Sequence, residues 1–550
     1  MARPKRPRHV LASGLATLVA GLVLLPIVTL AWLAATGSGA DWPHLAANVL
    51  PGAARNTLLL LAYVALGTAA IGVFAAWAVT SFEFPGRKVI SWALVLPFAV
   101  PPYLAAYAFA DFFHYSGPVQ STLRLLTGPV PPRDNWFPDI RSVGGTALVM
   151  TSVLYPYVYL TTRVVFLMQG RNLADAARTL GAKPGRVFFH VLLPVARPAI
   201  VAGVVLVLME TLNDVGAAEY LGTRTLTIAV YATWLNRGSL EGAAQIATLM
   251  VVLVFALILA ERWARRRQRF HAARATQASV RPPRIRLHGW RGPGVSALLL
   301  LPILLGFGIP LLVFGRFAWP RLDRLASPEL LSAFATTAMI AAATALITIG
   351  TALILLNAAR LGRSRRMSAL VASASLGYAF PGIILGLGLL WALARFDNQV
   401  DALARAWFGV STGLLLTGSV AGIVIACSVR FLALAEGSVR SGIEKLPPNL
   451  DEAARSLGRT PTQSAAAVLM PLLRPALLSA FVLVFVDAAK ELSATILLRP
   501  FGFSTLATLV YENAARGVVE DGALAALLII ATALVPVMLL SRALSRDRAA

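Results

Sequence analysis

The chain alternates long apolar runs with short polar ones, and the runs are of membrane-crossing length. Stretches of roughly 20 residues or more, enough for a helix to traverse a bilayer, lie at about 10–35, 56–80, 89–113, 142–166, 197–218 and 242–261. A second set lies at about 294–315, 334–357, 367–394, 411–434, 475–498 and 521–542. The pattern predicts an all-α polytopic membrane protein with about 12 transmembrane helices in two sixes. Six spans bring the chain back to its starting side, so the halves are expected to be parallel-oriented repeats about an axis along the membrane normal. The expected division is a first repeat over 1–267, a linker over 268–291 and a second repeat over 292–550.

Two polar islands carry the clearest internal repeat. Asn172-Leu173-Ala174-Asp175-Ala176-Ala177-Arg178-Thr179-Leu180-Gly181 precedes Pro194 at the spacing by which Asn449-Leu450-Asp451-Glu452-Ala453-Ala454-Arg455-Ser456-Leu457-Gly458 precedes Pro471. Aligned without a gap, 172–199 and 449–476 share fourteen of twenty-eight positions. Each island fits a short helix capped by Asn172 or Asn449, with Asp175 or Glu452 at its third position and Gly181 or Gly458 at its end. One island alone would pass for an amphipathic connector. Two in register, in the loops 167–197 and 436–474, would not.

Composition agrees with the membrane assignment. Charged residues make up 13% of the chain, against about 25% in soluble proteins. The net charge of +24 raises the possibility of nucleic acid, but its distribution follows the positive-inside rule instead. Arg3, Lys5, Arg6 and Arg8, then Arg87 and Lys88, then Arg171, Arg178, Lys183 and Arg186 recur in every other loop. Eight arginines from Arg265 to Arg286 follow at the end of the first repeat and through the linker, a stretch that reads as a solvated basic tract. Arg360, Arg363, Arg365 and Arg366 continue the pattern, whereas opposite loops mix signs, as with Asp397, Asp401 and Arg405. Both islands and both termini are therefore expected in the cytoplasm. The basic N-terminus resembles a signal peptide, but its apolar run is too long and has no clear cleavage site before Trp32, so an anchor is expected.

Some polar or helix-breaking residues lie inside the spans. Asn56-Thr57 is a plausible cap for the second helix. Pro97, Pro101 and Pro102 interrupt the third span, and Pro381 with Gly377 and Gly382 interrupts its counterpart. Such breaks mark either a bundle interior or pathway, where freed backbone groups are satisfied, or a packing kink. Glu210 and Asp214 stand four apart, on one face if the helix is continuous, and an offset of 277 places Asp487 and Glu491 at matching positions beside Lys490. At about 1.5 Å per residue from Pro198, Glu210 is roughly 18 Å and Asp214 roughly 24 Å along the axis. Each acid costs on the order of 2.5 to 3.5 kcal/mol to insert at mid-span. Two explanations stand: a structural ion-pair network, or a line of groups along the substrate route. Further on, 225–231 parallels 505–511 after a three-residue insertion, ending on Tyr231 and Tyr511.

The islands resemble the cytoplasmic coupling loops of permease subunits in type I ATP-driven (ABC) importers. That resemblance implies that Asp175, Ala176, Ala177, Leu180, Gly181 and their counterparts Glu452, Ala453, Ala454, Leu457 and Gly458 dock into a separate ATPase. Leu96-Pro97-Phe98-Ala99-Val100-Pro101-Pro102-Tyr103, Met209-Glu210-Thr211-Leu212-Asn213-Asp214, Gly377-Tyr378-Ala379-Phe380-Pro381-Gly382 and Lys490-Glu491-Leu492-Ser493-Ala494-Thr495 are similar to the fused, two-repeat ferric-iron permeases. The likeness covers nearly the whole chain except the linker. It implies delivery of Fe(III) by a periplasmic binding protein, two ATPase copies that carry ATP and Mg, a bacterial inner-membrane location and alternating access. It departs at Asp175, where the family usually has Glu, and at Val215, where an aromatic is common. Fe(III) is a hard cation suited to carboxylate and phenolate oxygens. Tyr103, Tyr107 and Tyr155 are available to assist its passage, but no metal ligands are assigned. Thiamine, a polyamine, a phosphonate or an oxyanion fits the same architecture.

Other classes explain less. A secondary transporter also uses repeats and intramembrane acids but leaves the doubled islands unexplained, and fused asymmetric halves do not suggest a channel ring. His9, His44, His114, His190, His271 and His288 form no metal-ligand spacing, and Cys427 is the single cysteine. No G-x-x-x-x-G-K-[ST] phosphate loop is present. The chain is not expected to be an enzyme, to bind a cofactor or to bind nucleic acid.

Overall fold

The computed structural model describes residues 7–546 except 38, 129–136, 169–176, 178, 267–283, 363–364 and, within 445–467, all but 446, 450, 456, 458 and 463. Among the described residues, 11 helices are long and apolar enough to cross a membrane, and a bent pair makes a twelfth. The twelve follow the order of the apolar runs, although several begin or end up to about fifteen residues away. Asp397, Asp401 and Arg405, for example, belong to the helix Gly382–Phe408 and not to a loop.

The bent pair is Arg87–Ala99 with Pro102–Leu126, at 98°. Val100 precedes a proline, whose ring crowds that residue out of the helical region, and its ψ is 112°. Pro101 follows at φ −58°, ψ 144°, and the helix restarts at Pro102. The second half repeats this geometry. After the 3-10 turn Ser375–Ala379, Phe380 has ψ 134° and Pro381 has φ −53°, ψ 139°. Pro101 and Pro381 are both buried, so each break is enclosed by protein.

Two compact units emerge, and neither is a contiguous half of the sequence. One comprises residues 40–239, 249–322 and 511–550. Its centre is a bundle of Leu50–Ser81, Val143–Met168 and Leu193–Asn213. Small residues allow the close approach that membrane helices use in place of a hydrophobic driving force. A Cβ on Gly72 would lie 2.8 Å from both Tyr159 N and Val158 Cβ. Ile309–Ala318, from the start of the second half, packs in this unit against Pro102–Phe113 and the last helix, Ala523–Arg546.

The other unit comprises residues 1–39, 240–248 and 323–510. It repeats the bundle with Pro328–Gly362, Val420–Glu444 and Met470–Ala489, which meet at buried Leu356, Val439 and Ala480. The chain's first helix, Pro7–Thr36, packs here along Gly382–Phe408. A Cβ on Gly388 would come within 2.3 Å of the Pro26 carbonyl oxygen. The first helix of each half thus packs among helices of the other, so the packing units do not coincide with the sequence repeats.

Asn56-Thr57 is not a cap, because a π turn, Leu45–Val49, leads directly into the helix Leu50–Ser81. Both side chains instead tie a distant segment. Thr57 Oγ1 accepts from Leu226 N–H at 2.9 Å, and Asn56 Nδ2 donates to the Arg224 carbonyl at 3.2 Å. The second half has the same pair: Thr337 Oγ1 accepts from Leu506 N–H at 2.8 Å and Thr336 donates to the Ser504 carbonyl. The repeat therefore extends to individual hydrogen bonds. An unanticipated parallel ladder also joins Phe82–Glu83 to Ile285–Arg286 at the described end of the linker, with Glu83 bridged to Arg87 at 3.0 Å and to Arg284 at 3.4 Å.

Candidate functional site

Parts of each coupling island are in view. Gly181 and Gly458 have φ of +80° and +79°, the left-handed conformation that ends a helix and that glycine adopts without steric cost. Ala182 N–H donates to the Ala177 carbonyl at 3.0 Å, the outer hydrogen bond of a Schellman motif with Gly181 just past the helix end. The turn leaves Leu180 89% exposed, an apolar side chain offered to solvent beside the loop. Nothing lies within 4 Å of a Cβ built on either glycine, so backbone conformation and not space selects the residue. The proposed caps Asn172 and Asn449, together with Asp175, Ala176, Glu452, Ala453, Ala454 and Leu457, lie outside the described residues. A π turn at Phe188–Leu192 connects the first island to the helix Leu193–Asn213. Val468 and Leu469 are π-helical at the corresponding place in the second half.

The intramembrane acids do not form a stripe on one continuous helix. The helix Leu193–Asn213 ends before Asp214, whose ψ is 116°. The buried Asp214 carboxylate accepts from Ala217 N–H at 2.7 Å, capping the short helix Gly216–Tyr220. Met470–Ala489 likewise ends before Glu491, whose Oε1 accepts from Ala494 N–H at 3.0 Å at the start of Ser493–Leu498. Matching acids thus close matching breaks by supplying an acceptor to an otherwise orphaned N–H. The helix pattern failed here because the apolar run continues through a break in the backbone.

The second half adds charge partners. Glu491 Oε2 pairs with Arg430 Nη1, and the two residues are only 6% and 5% exposed. Lys490 Nζ lies 2.7 Å from Asp487 Oδ1, so both charges beside this break are paired. Gly382 borders the same cluster: a Cβ there would fall 2.8 Å from Glu491 Oε1 and 3.0 Å from Arg430 Nη1. Pro381, beside it, therefore brings the broken ninth span to the broken eleventh. Glu210 and Asp487 are partly exposed. Sequence reasoning missed Arg430, although an arginine inside an apolar run carries the same insertion cost that singled out the acids.

Tyr103, Tyr107 and Tyr155 are all buried. Tyr107 lies ring to ring with Tyr220 at 4.5 Å and with Tyr103 at 6.0 Å. The Tyr155 hydroxyl meets no hydrogen-bond partner among the described residues. Outside the spans, Tyr231 and Tyr511 bring their hydroxyls to 3.3 Å, and Tyr511 donates to Glu219 Oε2 at 2.7 Å. Partial desolvation raises the Glu219 carboxyl above its usual range although the residue keeps solvent exposure, while the Tyr511 hydrogen bond acts in the opposite direction.

Comparison with known proteins bears on the whole arrangement. The family described as "Binding-protein-dependent transport system inner membrane component" matches twice, at residues 68–270 and 354–549. The Fe(3+)-transport system permease protein FbpB 2 of Haemophilus influenzae is 24% identical over 492 residues, covering 88% of this chain and 89% of its own. The sulfate transport system permease protein CysT of Escherichia coli is 31% identical over 201 residues, 36% of this chain and 69% of its own. The molybdenum transport system permease protein ModB of Escherichia coli is 27% identical over 211 residues, 37% and 88% of the two chains. With two copies of the family's domain, a doubled glycine-ended loop and a membrane-spanning helical fold, this chain belongs to the binding-protein-dependent transport system inner membrane components and is a fused permease subunit of an ATP-driven importer.

Proposed function

We propose that the subunit moves Fe(III) from a periplasmic binding protein into the cytoplasm by alternating access. The observation that carries this is the ferric relative's alignment across both repeats, where the sulfate and molybdenum relatives match about a third of the chain. Each glycine-ended loop receives one ATPase subunit, two copies in all, with ATP and Mg held by that partner and no cofactor on this chain. Both loops and both termini face the cytoplasm of a bacterium with an inner membrane, and no nucleic acid is involved.

Asp214 and Glu491, with Arg430, hold the two broken helices in shape, while Glu210 and Asp487 with Lys490 border the route and Pro101 and Pro381 set its bends. Proteoliposomes containing the permease, its ATPase and its binding protein test this. Ferric-loaded binding protein is expected to stimulate ATP hydrolysis and uptake of radiolabelled iron. The 31% identity to a sulfate permease supports a second reading, an oxyanion importer; uptake of sulfate or molybdate without uptake of iron would establish that one and reject ours.

A further inference from the structure

We infer that Tyr231, Tyr511 and Glu219 form an acceptor site for a hard trivalent cation, binding Fe(III) through two phenolate oxygens and a carboxylate. It rests on the ferric reading above and adds a definite ligand set to it. The two tyrosines are equivalent residues of the two repeats, each six positions after a threonine, Thr225 or Thr505. Each lies on a helix whose first residue is fixed by the same threonine hydrogen bond, Leu226 to Thr57 and Leu506 to Thr337. Equivalent side chains thus meet hydroxyl to hydroxyl at 3.3 Å, and Glu219 extends the group to a third oxygen 2.7 Å from Tyr511.

These separations suit a shared metal. Octahedral metal–oxygen bonds of about 2 Å place neighbouring ligand oxygens about 2.8 Å apart, close to the 2.7 Å and 3.3 Å that separate the Tyr511 hydroxyl from Glu219 Oε2 and the Tyr231 hydroxyl. The cluster's chemistry is that of hard ligands, which favour a hard cation. Access is present too, because Glu219 is exposed and both tyrosines are partly so. Two phenolates and one carboxylate carry three negative charges and neutralise Fe(III). The iron stays ferric, and each phenol proton passes to solvent as its oxygen binds.

The test uses the full chain in lipid nanodiscs with its ATPase, titrated with ferric nitrilotriacetate alone. Phenolate-to-iron charge transfer is expected to give a visible absorption band. The band should be lost in the double variant Tyr231→Phe with Tyr511→Phe and weakened in either single variant. Glu219→Gln should lower the apparent affinity at least about tenfold. Thermal melts matched to the parent exclude misfolding of the variants. A band that survives the double substitution overturns the site. Absence of a band in the parent, when the same preparation imports iron from its binding protein, overturns the site and leaves the ferric reading intact. A permease that imports no iron and shows no band defeats both.

Discussion

Removing the charge of Glu491 should cost protein before it costs transport. Glu491→Gln keeps the size of the side chain and an oxygen to accept from Ala494 N–H, but it leaves Arg430 charged, 5% exposed and without its carboxylate partner. Breaking one side of a buried pair costs about 3–5 kcal/mol, a large share of the roughly 5–15 kcal/mol that holds a typical fold. A shift on the order of 10 °C in melting temperature should follow, with a matching fall in the amount of inserted protein. Arg430→Met alone strands the opposite charge and should be comparably harmful. The double variant removes both charges and should recover most of the loss, giving a coupling energy well outside additivity. Detergent-solubilised protein melted by tryptophan fluorescence, with quantitative immunoblots of membranes, measures the full cycle. If Glu491→Gln melts and accumulates like the parent while uptake falls, the pair does not hold the fold, and Glu491 belongs to the route instead.

Other expectations are more direct. Glu210→Gln removes a charge at a partly exposed position, so membranes should contain normal amounts of protein while iron uptake declines; normal uptake would remove Glu210 from the route. Gly458→Val and Gly181→Val force a β-branched residue into the left-handed region, a cost of about 1–2 kcal/mol or more, and should uncouple hydrolysis from uptake at normal insertion; coupled transport by Gly458→Val would refute the role given to the second loop. Thr57→Val and Thr337→Val each orphan a buried N–H at about 1–3 kcal/mol, and melts should show similar losses in the two halves. The purified chain alone should hydrolyse no ATP, having no phosphate loop, and measurable turnover by an uncontaminated preparation would contradict this.

The features legible in advance were those written into local pattern. Apolar runs marked the spans, Pro101 and Pro381 marked the breaks, and the islands marked glycines that do adopt left-handed backbone. Partnerships were not legible. Glu491 and Arg430 lie 61 positions apart, and no periodicity links a carboxylate in one apolar run to a guanidinium in another. The acids were read onto continuous helices because hydropathy does not register a broken backbone: Asp214 and Glu491 follow helix ends inside unbroken apolar sequence. The parallel between 225–231 and 505–511 located both tyrosines, but only the fold brings Tyr231 to Tyr511.

The placement of the first helix has a consequence for biosynthesis. Pro7–Thr36 leaves the ribosome well before its packing partners Pro328–Gly362 and Gly382–Phe408, which are made roughly 300 residues later. At about 5–20 residues per second, that helix waits on the order of 15 to 60 s for them. During that interval it must be accommodated by lipid or by the insertion machinery, with the surface around Pro26 that later receives Gly388 still uncovered. A ribosome that stalls before residue 328 leaves a nascent chain in which this helix lacks those partners, and such a chain is open to capture by membrane quality-control proteases.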